Sequence, residues 1–300
     1  MHAIHPRLAR PYGPIKVLIV GAGGNGSKVA IGLRHLSAAL ETIHGPHHRL
    51  DVTIADGDTI EHHNLVRQAF YPSDIGQNKA TVLANRINLS NGTTWRAIPR
   101  HITAEDITHL RPAIVIACVD NRAARAAVHA AAEHKDSGVL YTLDLGNTAT
   151  TGQVILGMPR HAHTRELGPR LPTAPELHPE LTDTSVPEDD TPSCSTIESL
   201  EKQDLYVNDT LATHALNLLW QLLRHGRIGH HGVYVDTSTN HSTPLPVDPR
   251  TWRRIRRRLA RTAKTTPAAT PAKRNRPSHR QGNRETERAT VDATTRSTPA

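Results

Sequence analysis

The 300-residue chain is long enough for one large domain or two small ones with a sizeable core, and no apolar run nears the roughly 18 residues of a membrane span. Its opening, MHAIHPRLARPYG, has no signal-peptide core, and only two cysteines, Cys118 and Cys194, argue against a disulfide framework or a CxxC zinc site. The formal charge of +8 is unevenly spread: residues 250–300 hold 15 Lys/Arg against 3 Asp/Glu, the preceding 249 hold 21 against 25, so a mildly acidic body carries a basic tail.

In chain order, Ile15–Val20 is apolar between Pro14 and Gly21 and predicts a buried strand. Residues 25–40 place Val29, Ile31, Leu33, Leu36 and Leu40 at near-helical spacing and predict the first helix. A second strand is expected over 50–56, ending in Asp56, and a helix over 75–89 with Ala80, Leu83, Ala84 and Ile87 on one face. Strands follow near 95–98 and over the apolar 113–120, then an alanine-rich helix over 121–135. Strand and helix in alternation predict an α/β, Rossmann-like doubly wound, mostly parallel sheet. Segments 139–147 and 152–159 add two strands that can pair as a hairpin. Residues 159–193 are rich in proline, lack apolar periodicity and read as a functional or disordered loop. A strong helix is expected over 208–226, capped by Asn208 or Asp209 and ended by Gly226, then two short strands over 232–236 and 242–248. This divides the chain into a nucleotide-binding domain over 1–250 and, over 251–300, a basic helix with a disordered extension. The extension reads as solubilising; binding of nucleic-acid phosphates by the tail is the alternative. His47-His48, His62-His63 and His161-x-His163 lack a ligand constellation and read as surface residues.

Between the first strand and helix lies Gly21-x-Gly23-Gly24-x-Gly26. Glycines let the backbone approach a phosphate, and the helix N-terminus offers free N–H groups and partial positive charge. That holds for a nicotinamide dinucleotide and for ATP alike. Past the next strand, residues 56–70 carry Asp56, Asp58, Asn64, Arg67 and Gln68, and Lys79 follows. An arginine and a lysine on one ligand suit a triphosphate better than a dinucleotide diphosphate. Asp120, at the end of a core strand, is placed to hold Mg²⁺ together with phosphate oxygens.

This ordered series, with Cys118-x-Asp120-Asn121, resembles the ThiF/MoeB/ubiquitin-activating superfamily over roughly residues 15–160. The latter half, PSCSTIESLEKQDLYVNDTLATHALNLLWQLL, is similar to the ThiF-type proteins of PRTRC gene clusters, which are typically plasmid-borne. The resemblance implies adenylation of the C-terminal glycine of a small ubiquitin-like protein with Mg-ATP. It assigns Asp56 to the ATP ribose with Asp58 as second choice, and Asn64, Arg67 and Lys79 to the phosphates. Gln68 joins the nucleotide-binding set, Gly21, Gly23, Gly24 and Gly26 are expected to line it, and Asp120 to hold the metal. Two features of the family are absent: the zinc cysteines, so no structural zinc is expected, and a recognisable N-terminal arginine segment reaching a partner's site. Arg7 or Arg10 can substitute for the latter in a homodimer. Cys194 follows the long loop where the superfamily places the cysteine that accepts the acyl group, before a conjugating-enzyme-like acceptor. Cys118 reads as a buried small hydrophobe. The remaining readings are a nicotinamide-dependent oxidoreductase and a non-catalytic nucleotide-binding scaffold; the expected location is cytoplasmic.

Overall fold

The computed structural model describes residues 1–185 and 203–265. The strands are β1 (His2–Ala3), β2 (Ile15–Val20), β3 (Leu50–Ala55), β4 (Arg96–Ile98), β5 (Ile114–Ala117), β6 (Tyr141–Asn147), β7 (Thr151–Gly157), β8 (Arg227–Ile228), β9 (His230–Asp236) and β10 (His241–Pro246). The α-helices are α1 (Pro6–Ala9), α2 (Gly24–His44), α3 (Lys79–Asn91), α4 (Ala104–Leu110), α5 (Arg122–Glu133), α6 (Ala174–Leu177), α7 (Val207–His225) and α8 (Pro249–Thr265).

The main sheet has the order β10-β9-β7-β6-β5-β2-β3-β4. Strands β4, β3, β2, β5 and β6 are parallel neighbours, and β7, β9 and β10 extend them antiparallel. The hairpin expected after residue 139 is the β6–β7 pair. Alternate residues of the central strands enter two different cores. Val17, Ile19, Ile114 and Ile116 pack on one face, and Leu18, Val20, Val115 and Ala117 on the other. Both faces being covered is why these strands read as continuous apolar runs instead of alternating ones. Leu18, Ile19, Val115 and Ile116 are wholly buried, each contributing about 1.5–3 kcal/mol of burial.

The register sets the site. Val20 pairs with Ala55 on one side and with Ala117 on the other, so β2, β3 and β5 end level. Gly21, Asp56 and Cys118 therefore emerge side by side. The chain passes from β2 to β3 in one direction and reaches β5 in the other, which makes this edge the topological switch point, where open α/β sheets bind ligands.

Several local expectations need correction. Helix α3 starts at Lys79, because Asn78 caps it by accepting from the Thr81 N–H at 3.0 Å, and 75–78 stay outside. Helix α4 was not legible as apolar periodicity, being short and half-exposed; Thr103 and Asp106 form its capping box. Asn208 does not cap α7, whose N-cap is Tyr206, whereas Gly226 ends it in the left-handed region as expected. Residues 159–185 are not a structureless loop. Arg170 donates to both oxygens of Glu176, at 2.7 and 2.9 Å, and to the Met158 carbonyl at 2.8 Å, while Leu167, Leu171 and Leu177 are buried. Among the described residues no helix is long and apolar enough to cross a membrane.

Candidate active site

At the switch point lies a cleft of about 830 Å³, lined by the residues after β2, β3 and β5 and by the start of α3. Gly21, Gly23, Gly24, Asp56, Asp58, Arg67, Gln68, Lys79 and Asp120 all line it. Nine of the predicted site residues are thus brought together from segments a hundred residues apart.

Gly21 turns the chain at a φ of +90°, and a Cβ there would lie 2.6 Å from the Cys118 carbonyl oxygen. The following helix has Gly23 as its N-cap, with no side-chain cap. Its first turn therefore faces the cleft with backbone N–H groups and the positive end of the helix dipole. Gly26 does not line the cleft. It packs under the turn, where a Cβ would stand 1.9 Å from the Gly21 carbonyl oxygen. Its role is close packing of helix on strand, as for the last glycine of the general dinucleotide fingerprint.

Asp56 is buried, 9% exposed, with both oxygens oriented by the backbone. Oδ2 accepts from the Ala22 N–H at 2.5 Å and Oδ1 from the Asp58 N–H at 2.8 Å. Burial raises its pKa above the ordinary aspartate value, and these two hydrogen bonds and the Lys79 charge oppose that rise. Each oxygen keeps a lone pair for a hydroxyl donor. Lys79 is 7% exposed and its Nζ lies 2.9 Å from Asp58 Oδ2. The 56–60 turn is held onto α3 by Asn78, whose amide donates to the Asp56 and Asp58 carbonyls at 2.9 and 3.1 Å. Arg67 is half-buried, donates to Gln203 Oε1, and is pushed below the usual arginine pKa by burial.

Asn64, expected at the phosphates, is placed apart from these residues. It is buried outside the cleft lining, and its side chain closes a capping box with Glu61, accepting from that residue's N–H at 2.9 Å. Asp120 is exposed at the cleft, and the neighbouring Asn121 caps α5, accepting from the Ala124 N–H at 2.7 Å. Cys118 packs against the core, and burial pushes its thiol up, so it is a poor nucleophile. Cys194 and the extension beyond residue 265 lie outside the described residues.

Other cleft residues were not anticipated. Asn25, Asn147 and Asn208 form an amide network: Asn25 Nδ2 donates to Asn147 Oδ1 at 3.0 Å and Asn208 Nδ2 to Asn25 Oδ1 at 2.9 Å. Arg125 also lines the cleft. It donates to the Val119 carbonyl at 2.6 Å and to the buried Asp144 at 3.1 Å, and His129 reaches the same carboxylate oxygen at 3.0 Å. Arg125 thereby ties the Asp120 loop to the sheet. The signal was present in the sequence: Asp144 interrupts an apolar strand, and Arg125 and His129 sit four apart on an alanine-rich helix.

The donor set fits a nucleoside triphosphate. An anion-binding turn, two cations and an oriented carboxylate face one space, and the buried oxygens Gln68 Oε1 and Asn208 Oδ1 have no partner among the described residues. No group of three or more His, Cys, Asp or Glu side chains among the described residues is arranged to hold a metal. A cation here would rest on Asp120 and on ligand oxygens, the manner in which Mg²⁺ commonly binds.

The fold is shared with a solved structure. Crystalline PaaA superposes with a TM-score of 0.54 at 17% identity, over 78% of this chain and 64% of that one. E. coli MccB with ATP gives 0.49 at 16%, with the same coverage, and E. coli tRNA N6-threonylcarbamoyladenosine dehydratase, TcdA, 0.34 at 24%, over 43% of this chain and 51% of that one. The chain spans just under two thirds of the length of PaaA and MccB. No curated protein matches it in sequence. The ThiF family model matches residues 12–250, nearly the whole described body with the cleft inside it, and the chain therefore belongs to the ThiF family.

Proposed function

We propose that the chain activates the C-terminal carboxylate of a small ubiquitin-like protein by adenylation. The carboxylate oxygen attacks the α-phosphorus of ATP, the bond from that phosphorus to the bridging oxygen breaks, and acyl-adenylate and pyrophosphate form. The observation that carries this reading is the convergence of the uncapped glycine turn, Asp56, Arg67, Lys79 and Asp120 on one cleft at the switch point. A nicotinamide oxidoreductase needs the turn and the acid but has no use for two cations and a further carboxylate.

Each side chain has a task within that reaction. Asp56, oriented by two N–H groups, accepts from the ribose hydroxyls. The first turn of α2 and Lys79 receive phosphate oxygens, and Arg67 meets the charge that grows on the leaving pyrophosphate. Asp120 would hold Mg²⁺, which when bound neutralises phosphate charge. Arg125 keeps the loop of Asp120 in place through the Val119 carbonyl. In a second step the Cys194 thiolate attacks the acyl carbon, AMP leaves, and a thioester forms. The place of Cys194 after the proline-rich 159–193 segment in the sequence supports this, as does the unsuitability of Cys118.

The test is ATP–pyrophosphate exchange with the small ubiquitin-like proteins encoded near this gene. Exchange is expected with one of them, and Cys194→Ala should retain it while losing a reductant-sensitive adduct on a gel. ATP binding without exchange would establish the scaffold reading instead.

A further inference from the structure

Helix α8 carries a charge pattern that the cleft does not use. Six arginines fall between positions 250 and 258, and no acidic residue occurs in Pro249–Thr265. The helix is fixed to the body at its start. Asp248 accepts from the backbone N–H groups of Arg250 and Thr251 at 3.0 and 3.1 Å, and the Trp252 indole donates to the Pro246 carbonyl at 3.1 Å. Trp252 is 4% exposed, edge-on to His231 at 5.2 Å, and Ile255 packs against the same core.

At 100° per residue, Trp252, Ile255 and Leu259 share one side of the helix, and Arg250, Arg253, Arg254 and Arg257 share the other. All four arginines are exposed. They follow the i, i+3/i+4, i+7 spacing of one face and span about 10 Å along the axis. The location is remote from the cleft. His231 lies near the start of β9, beside the end of β7, whereas the cleft-lining Gln153 lies near the start of β7. The same end of the sheet holds a shallower depression of about 440 Å³ lined by Arg7, Lys16 and Arg111, with Asp51 the acid in it.

We propose that the arginine face of α8 docks nucleic-acid phosphates. Guanidinium groups bind phosphate oxygens in bidentate fashion, and a helix face carrying four of them at regular spacing matches a repeating polyanion. A membrane fits less well: Trp252 and Ile255 of the apolar side of α8, which insertion into lipid requires, are already packed on the body.

The test uses the full chain with a fluorescein-labelled 20-base-pair DNA duplex and the matching RNA duplex, read by anisotropy across a potassium chloride series. If the four arginines meet four phosphates, log K should fall against log salt with a slope of about −3.6 on DNA. The variant Arg253→Gln/Arg254→Gln/Arg257→Gln should bring the slope to about −1 and weaken binding at least about tenfold at low salt. Those three side chains are exposed, so an unchanged melting curve verifies the fold of the variant. A chain ending at Thr265 should bind like the full one. The proposal is overturned if neither duplex binds, if the triple variant keeps the wild-type slope, if truncation at 265 abolishes binding, or if only phosphatidylserine vesicles are retained.

Discussion

Replacing Lys79 with methionine removes one ammonium group and keeps most of the aliphatic stem that fills the buried position at the start of α3. The structural loss is the ion pair with Asp58 at 2.9 Å. The Asp58 side chain is 55% exposed, so water replaces the lost partner, and pairs of this kind are worth about 0.2–1 kcal/mol. Stability should therefore change by no more than about 1 kcal/mol. The catalytic loss is of another order. Lys79 lines the cleft, and under the proposed reaction it meets the transferring phosphates; losing one such preorganised group costs about 2.7–4 kcal/mol, or about 10²–10³ in rate. Urea unfolding and pyrophosphate exchange on the same preparation separate the two effects. Exchange within threefold of wild type refutes the phosphate role. A stability loss well above about 2 kcal/mol refutes the claim that the position tolerates a neutral stem.

Two further outcomes follow from buried carboxylates. Asp144 is wholly buried and shared by Arg125 and His129, so Asp144→Asn strands a buried guanidinium and should destabilise the chain by about 3–5 kcal/mol in urea unfolding; a loss under about 1 kcal/mol would show that the cluster is not a coupled unit. If Asp56 binds ribose as the proposal has it, through its ionised form, then because burial raises its pKa nucleotide affinity should be complete above that raised value and decline as pH falls through it, before ordinary carboxylates titrate. Calorimetric titration of ATP across acid pH checks this, and an acid limb that persists unchanged in Asp56→Asn removes Asp56 from ribose binding.

What could be read from the sequence follows from which forces are local. The strand–helix alternation, the glycine turn and the hairpin after residue 139 were legible because apolar run length and glycine placement report them directly. The grouping of Gly21, Asp56 and Asp120 was legible through the general rule that ligands sit past the carboxyl ends of parallel strands. Gly26 and Asn64 stand outside the cleft lining, and a motif, which gives spacing but not direction, does not tell this in advance. Five residues after a φ-positive Gly21, the helix has turned Gly26 toward the strand, and Asn64 is spent on its own 3₁₀ turn. Helix α4 and the ordered 159–185 segment were missed because caps and the Arg170–Glu176 ion pair stabilise them, and these carry no apolar periodicity.

The amide and carboxylate clusters show why the remainder was hidden. Asn25, Asn147 and Asn208 meet from three distant segments, and no local pattern marks their meeting. Asp144 differs, because a carboxylate between Leu143 and Leu145 in a strand covered on both faces is costly to bury without a hydrogen-bonded partner. Its partner had to come from the helix covering that strand, and the facing helix offers Arg125 and His129 one turn apart. The same partner that neutralises Asp144 also donates to Val119, one residue before Asp120. A charge placed in the core for packing reasons thus has a geometric consequence at the cleft: the loop presenting Asp120 is anchored to the sheet by the residue that makes Asp144 tolerable.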